Sequence, residues 1–187
     1  MPRRFTNHPT SGRASSVVVG ILALAFLLST GARAAEEIVT GIHLLESGQL
    51  AEAHQFFASF TAAHPDDPAG MFYLGRVAFS AAQYDEAIKW FAQAVQRAGQ
   101  NSDYHLWLGR AYGEKARRAS VLQQPVLAIK VKAYFEKAVA LNPDNLAARS
   151  DLREYYLAAP GVLGGSPEKA REQAEEIRKR EAQHTRP

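Results

Sequence analysis

No cysteine occurs among the 187 residues, which excludes a disulfide framework, a thiol nucleophile, a cysteine-based zinc site and a lipid anchor on an N-terminal cysteine. The sequence also lacks His-Glu-x-x-His, Gly-x-Ser-x-Gly, the Gly-x-x-x-x-Gly-Lys phosphate loop and the dinucleotide pattern Gly-x-Gly-x-x-Gly. Its histidines, His8, His43, His54, His64, His105 and His184, never fall within four residues of one another, so no local helical metal pair exists. His43, His54 and His105 lie in helical stretches, where a packed or solvent-facing imidazole is the ordinary case. Asp66, Asp67 and Asp144 stand beside turn prolines, where carboxylates accept from backbone donors. Gly164-Gly165-Ser166 reads as a permissive turn and helix cap, because no lysine stands where a phosphate loop needs one. The chain offers no catalytic residue, metal ligand or cofactor site, and reads as non-enzymatic.

Long apolar runs are scarce. The run Val17 to Leu28 spans 12 residues, well short of the roughly 20 that cross a bilayer. Arg3, Arg4 and Arg13 precede it, Ala32-Arg33-Ala34 follows it, and residues 1–34 contain no acidic side chain. That is the layout of a secretory signal peptide, with cleavage expected between Ala34 and Ala35 and a periplasmic or secreted address. Without this segment the remaining 153 residues carry 18 Lys and Arg against 19 Asp and Glu, so the formal +3 of the whole chain does not argue for nucleic acid. Stable membrane insertion after cleavage is not expected, and only peripheral contact stays open. About 150 residues can bury roughly two-thirds of their surface, enough for a core without disulfides.

What the sequence has in abundance is self-similarity. Gly41, Gly75 and Gly109 are 34 residues apart, as are Ala53 and Ala87, and Phe57 and Phe91. Leu74-Gly75, Tyr84-Asp85-Glu86-Ala87, Phe91 and Ala94 echo Leu50-Ala51-Glu52-Ala53, Phe57 and Phe60, and Leu108-Gly109, Tyr112, Phe135, Ala138 and Pro143 follow downstream. Such a period describes a pair of antiparallel helices, with small residues permitting close approach and Leu and aromatic residues filling the seam. Pro65 and Pro143 end second helices. One pair cannot cover its own apolar face, so the units must stack.

These residues resemble the tetratricopeptide repeat, and the chain resembles an exported bacterial member of that family. The resemblance implies an all-α fold, a right-handed superhelical solenoid of about four antiparallel helix pairs, after the signal peptide at 1–34. The domain at 35–187 would divide into repeats at about 35–67, 68–101, 102–145 and 146–182. In the third unit Phe135, Ala138 and Pro143 arrive ten residues late, which predicts a lengthened hairpin with its tip at Leu122-Gln123-Gln124-Pro125. In the fourth, Arg153 replaces the expected small residue, five residues are inserted, and Ser166-Pro167 opens a last helix with Ala170, Ala174 and Ile177 on one face and charges elsewhere. Such a helix suits the end of a solenoid.

The resemblance also implies a concave face that binds a protein or peptide. Carried over position by position, its contact residues are Ile38, Ile42 and Leu45 in the first unit, Phe72, Arg76 and Phe79 in the second, and Leu106, Arg110 and Glu114 in the third. The fourth adds Ser150, Glu154 and Leu157. The family's chaperone-tail clamp needs lysine and asparagine where this chain has Ile38 and Ile42, so that receptor type is excluded. The expectation is a protein-binding adaptor of the cell envelope, without cofactor. The alternative is an envelope-surface protein that touches anionic lipid or polymer through a basic hairpin at 110–132, where Arg110, Lys115, Arg117, Arg118, Lys130 and Lys132 face Glu114 alone. Self-association through an open first repeat is the structural alternative.

Overall fold

The computed structural model describes residues 37–184; the expected signal peptide, its cleavage site and the start of the first repeat at Ala35 lie outside the described residues. The backbone separates into two compact units, Met1–Thr40 and Gly41–Pro187. Of the first, residues 37–40 are described and are helical; Ile38 is half-buried and Val39 exposed.

Among the described residues all regular structure is helical. The helices are α1 (residues 37–46), α2 (Leu50–Ala63), α3 (Pro68–Ser80), α4 (Tyr84–Arg97), α5 (Ser102–Arg118), α6 (Gln124–Leu141), α7 (Leu146–Ala158) and α8 (Pro167–His184), with a short 3-10 turn at Gly161–Leu163. None of them is long and apolar enough to cross a membrane.

Start signals for α3, α5 and α7, the first helices of the later pairs, are written in Asp and Asn. Asp67 accepts from the Ala69 amide at 2.8 Å, with Pro68 opening α3. Asn101 accepts from Asp103 at 2.9 Å and Tyr104 at 3.3 Å. Asn145 accepts from Ala148 at 3.0 Å and uses its amide to donate to Ser102 Oγ at 2.9 Å and Asp103 Oδ1 at 2.8 Å, so one side chain caps α7 and ties it to α5. Helices α2 and α4 lack a side-chain cap and instead follow tight turns with left-handed backbone at Gly48 (φ 78°) and Ala82 (φ 58°).

The 34-residue period becomes contact at the seams. A methyl group placed on Gly75 would lie 2.5 Å from the Phe91 ring, and one on Gly109 would lie 2.6 Å from Phe135; on Gly41 it would meet Phe57 at 2.5 Å. Only glycine lets these helices close on their aromatic partners. Phe57, Phe91, Ala53, Ala87, Ala94 and Ala138 are fully buried there. Neighbouring pairs join through stacked aromatics, Phe57 on Tyr73 at 4.8 Å and Phe72 on Tyr104 at 4.8 Å between ring centroids, and within the third pair Tyr112 stacks on Tyr134 at 5.5 Å.

The insertion in the third pair is shared between helices and loop. Helix α5 has 17 residues against 13 in α3, and α6 has 18 against 14 in α4. The tip is Ala119–Gln123, slightly earlier than expected, because Gln124 and Pro125 already belong to the first turn of α6. In the fourth pair Arg153 is exposed, and α8 is held through Arg149, Leu152 and Tyr156 instead. The register puts Ala174 where the other units carry Phe57, Phe91 and Phe135, so no ring demands a glycine opposite. Buried Arg149 donates to the Pro143 carbonyl at 2.6 Å and to Gln173 at 2.8 Å, and Arg180 bonds Asp144 at 2.8 Å and Glu176.

Candidate binding groove

First helices α3, α5 and α7 contribute side chains from equivalent places in the repeat. Tyr73 and Trp107 are 34 residues apart, as are Arg76 and Arg110, and the ten-residue insertion carries the same two places to Asp151 and Glu154. Trp107 is the hub: the Arg76 guanidinium lies 3.9 Å and that of Arg110 4.7 Å from its ring centroid, and Phe79 meets it edge-on at 5.4 Å. Arg110 donates from Nε to Asp151 Oδ2 at 2.6 Å and from a terminal nitrogen to Oδ1 at 3.4 Å, a forked pair joining α5 to α7.

Beside this hub opens a cavity of about 890 Å³. Trp107, Val131, Phe135 and Tyr155 form its apolar interior; Val121, Pro125 and Ala128 of the lengthened hairpin form one wall, and Ala158, Pro160 and Leu163 the other. Its charged lining is Arg110 with Asp151, Arg117 with Glu114, and exposed Glu154, which has no ion pair among the described residues. The second wall is pinned by Tyr155, whose hydroxyl donates to the Leu163 carbonyl at 2.8 Å, and by the Ser166 amide, which donates to Tyr156 O at 2.9 Å. Tyr156 donates to Glu136 Oε1 at 2.9 Å, fixing α7 against α6; burial first, and that carboxylate second, raise its pKa above the ordinary tyrosine range. An apolar recess of this size with a few oriented charges is what a ligand site requires.

The expected contact residues divide into two groups. Phe79, Arg110 and Glu114 line the cavity, and Arg76 stacks on its Trp107 wall. Leu45, Phe72 and Leu106 are buried in the core, and Ile42 packs against the Leu45 cluster. In the fourth unit Glu154 lines the cavity, while Ser150 and Leu157 are exposed outside it. Trp107, which follows Leu106, and Asp151, which follows Ser150, line the cavity. The 34-residue spacing of Tyr73 and Trp107 was the available signal. Asp151 offered none, because its partner Arg110 is 41 residues away.

Each basic side chain of the lengthened hairpin is engaged within the chain. Lys115 bonds Asp85 and Arg117 bonds Glu114. Arg118 lies over Tyr84 at 4.5 Å, Lys130 over Tyr112 at 4.9 Å, and Lys132 is 4.0 Å from Glu136. The hairpin also exposes apolar side chains: Val121 is 80% accessible, Leu122 89%, Val126 60% and Ile129 57%.

Among the described residues no group of three or more His, Asp or Glu is placed to hold a metal ion. His105 is buried, with Nε2 donating to the Gly99 carbonyl at 3.0 Å. At the α8 start, the Gly164 and Gly165 amides donate to Gly161 O and Pro160 O at 2.9 and 3.1 Å, and Ser166 Oγ accepts from the Lys169 amide at 3.3 Å. Those donors are used inside the turn.

The tetratricopeptide-repeat family model matches residues 39–103. No curated protein matches the sequence. Among solved structures, a thermophilic TPR protein of Thermus thermophilus, TTC0263, superposes with a TM-score of 0.65 at 18% identity, over 77% of this chain and 72% of that one. MamA from Desulfovibrio magneticus RS-1 gives 0.61 at 20% identity, over 78% and 74%. Human IFIT1, solved as a dimer with PPP-AAAA, gives 0.63 at 19% identity over 75% of this chain but 31% of its own length. The chain accordingly has the tetratricopeptide-repeat fold, and residues 39–103 carry the sequence pattern of that repeat.

Proposed function

We propose that this protein is a non-enzymatic adaptor of the cell envelope that holds a protein partner in the groove between α5, α6 and α7. The tetratricopeptide-repeat fold suggests protein–protein interaction in general. The observation that carries the specific reading is the cavity of about 890 Å³, walled by the lengthened hairpin and the Pro160–Leu163 segment, with Trp107, Phe135 and Tyr155 inside. A partner segment with two or three apolar side chains on one edge would remove these rings from water, and aromatic anchors in such pockets dominate interface energies. The export part of the reading is supported by the basic, apolar and Ala-x-Ala layout of residues 1–34.

Photo-crosslinking in cells tests the groove. A crosslinker at Ala128, inside the cavity, should trap a protein that one at Lys137, exposed on α6, does not. Filling the cavity by Ala128→Trp, with a crosslinker at Glu154, should abolish capture. Equal capture by the filled variant sinks the groove reading.

Contact of the hairpin with anionic lipid is the second reading, supported by exposed Val121, Leu122, Val126 and Ile129. The engagement of Lys115, Arg117, Arg118, Lys130 and Lys132 within the chain weighs against its electrostatic half. Vesicle sedimentation separates them: binding that falls steeply with salt and is lost in Leu122→Glu supports the lipid reading, and no binding at low salt removes it.

A further inference from the structure

Two guanidinium groups lie against the same indole, and they differ in what neutralises them. Arg110 is forked onto Asp151, and farther along the groove Arg117 is bound to Glu114. Arg76 makes no hydrogen bond or ion pair with any described residue, and its Nε is buried without a partner. Burial pulls its pKa below the ordinary arginine value and Arg110 acts in the same direction; Tyr73, Glu46 and Asp103 oppose this, and both carboxylates stand beyond ion-pair distance. A half-buried cation without a counter-ion is unfavourable in the free protein, and a carboxylate offering its two oxygens to the terminal guanidinium nitrogens would neutralise it. Tyr73, at the place in the repeat that Trp107 occupies in the next unit, supplies a hydroxyl that also lacks a hydrogen bond.

Resting on the groove reading above, we infer that the partner segment is acidic as well as apolar: Arg76, stacked on Trp107, grips a carboxylate of the partner while its apolar side chains enter the adjoining cavity. Trp107 is shared by both subsites, so the acidic residue and the first apolar one are neighbours in the partner sequence. The charge pattern selects a single carboxylate over a polyanion. Beyond Trp107 the cavity is lined by Glu114, Asp151 and Glu154 against Arg110 and Arg117, so a phosphate backbone laid along it would be repelled.

The experiment is selection of displayed random 12-residue peptides on the purified protein and on its Arg76→Gln and Arg76→Lys variants, with helix content checked by circular dichroism. Peptides from the wild-type selection should carry Asp or Glu next to apolar residues. Replacing that acid by its amide should weaken binding to wild type about tenfold, read by fluorescence anisotropy, and should change nothing for Arg76→Gln. Arg76→Lys should keep part of the preference, since the charge remains and the fork is lost. Apolar peptides without acid preference, displaced by Ala128→Trp, would overturn the Arg76 inference and leave the groove standing. An acid preference that persists in Arg76→Gln would overturn it too. No enrichment of any peptide, or oligo(A) RNA bound through Arg76 in place of peptide, would overturn both readings.

Discussion

Helix pairs α3–α4 and α5–α6 use the same seam and end it differently. In both, a glycine closes on a phenylalanine at van der Waals limit, Gly75 on Phe91 and Gly109 on Phe135. The shorter pair turns within Ala81–Gln83 and forces Ala82 into left-handed backbone, φ 58°. The longer pair turns over Ala119–Gln123 without any positive φ, and leaves Val121 and Leu122 almost fully in solvent. The insertion exchanges backbone strain for exposed apolar surface, and it leaves the packed seam untouched. It also adds the wall that makes the groove a cavity, so what distinguishes this chain from a plain repeat array sits on the part that the core does not need.

The comparison is broken most forcefully at the seam. Phe91→Ala and Phe135→Ala should each cost about 3–5 kcal/mol in chemical denaturation. A much smaller loss for Phe135 would mean that the insertion had loosened its pair. Gly75→Leu and Gly109→Leu should each cost about 1–3 kcal/mol by overpacking, with closely similar values if the seams are equivalent.

Alkaline pH probes the junction between the pairs, where Tyr104 of α5 stacks on Phe72 of α3. Burial pushes the Tyr104 pKa from its ordinary 10 up to about 12. A folded value above the unfolded one favours the protonated native state, so this contribution is complete below pH 10 and is lost as pH rises through 12. Denaturation midpoints should fall across that window, and less in Tyr104→Phe. A window unchanged by Tyr104→Phe would place the sensitivity elsewhere.

Turns give the smallest effects. Ala82→Gly should stabilise by about 0.5–1 kcal/mol by relieving left-handed backbone, whereas Ser120→Gly in the longer turn should not stabilise. Leu122→Ser should change stability by less than about 0.5 kcal/mol, because the side chain touches little in the fold. A larger loss would show that the tip packs on something within the chain.

Fold and site were unequally legible in the sequence. Gly41, Gly75 and Gly109 with Phe57, Phe91 and Phe135 disclosed the helix pairs because the small–large fit is local to each unit and recurs with the chain's period. The late arrival of Phe135 disclosed the long hairpin for the same reason. Of the side chains expected on a concave face, Phe79, Arg110 and Glu114 line the cavity and Arg76 stacks on Trp107, because the repeat period carries equivalent places of each first helix to one side. Phe72 and Leu106 are buried in the core, and their successors Tyr73 and Trp107 are partly buried against it. The basic hairpin looked free in sequence partly because Asp151, Asp85 and Tyr84, which engage Arg110, Lys115 and Arg118, come from other helices. No linear spacing encodes such pairings.

The central claim is that the cavity beside Trp107 is where a partner sits. The most direct measurement is a methyl chemical-shift map of the protein saturated with the best peptide from the selection. The account predicts shifts concentrated at Ala128, Val131, Ala158 and Leu163, inside the two walls. Shifts confined to Leu122, Val126 and Ile129 on the outer face of the hairpin would contradict it.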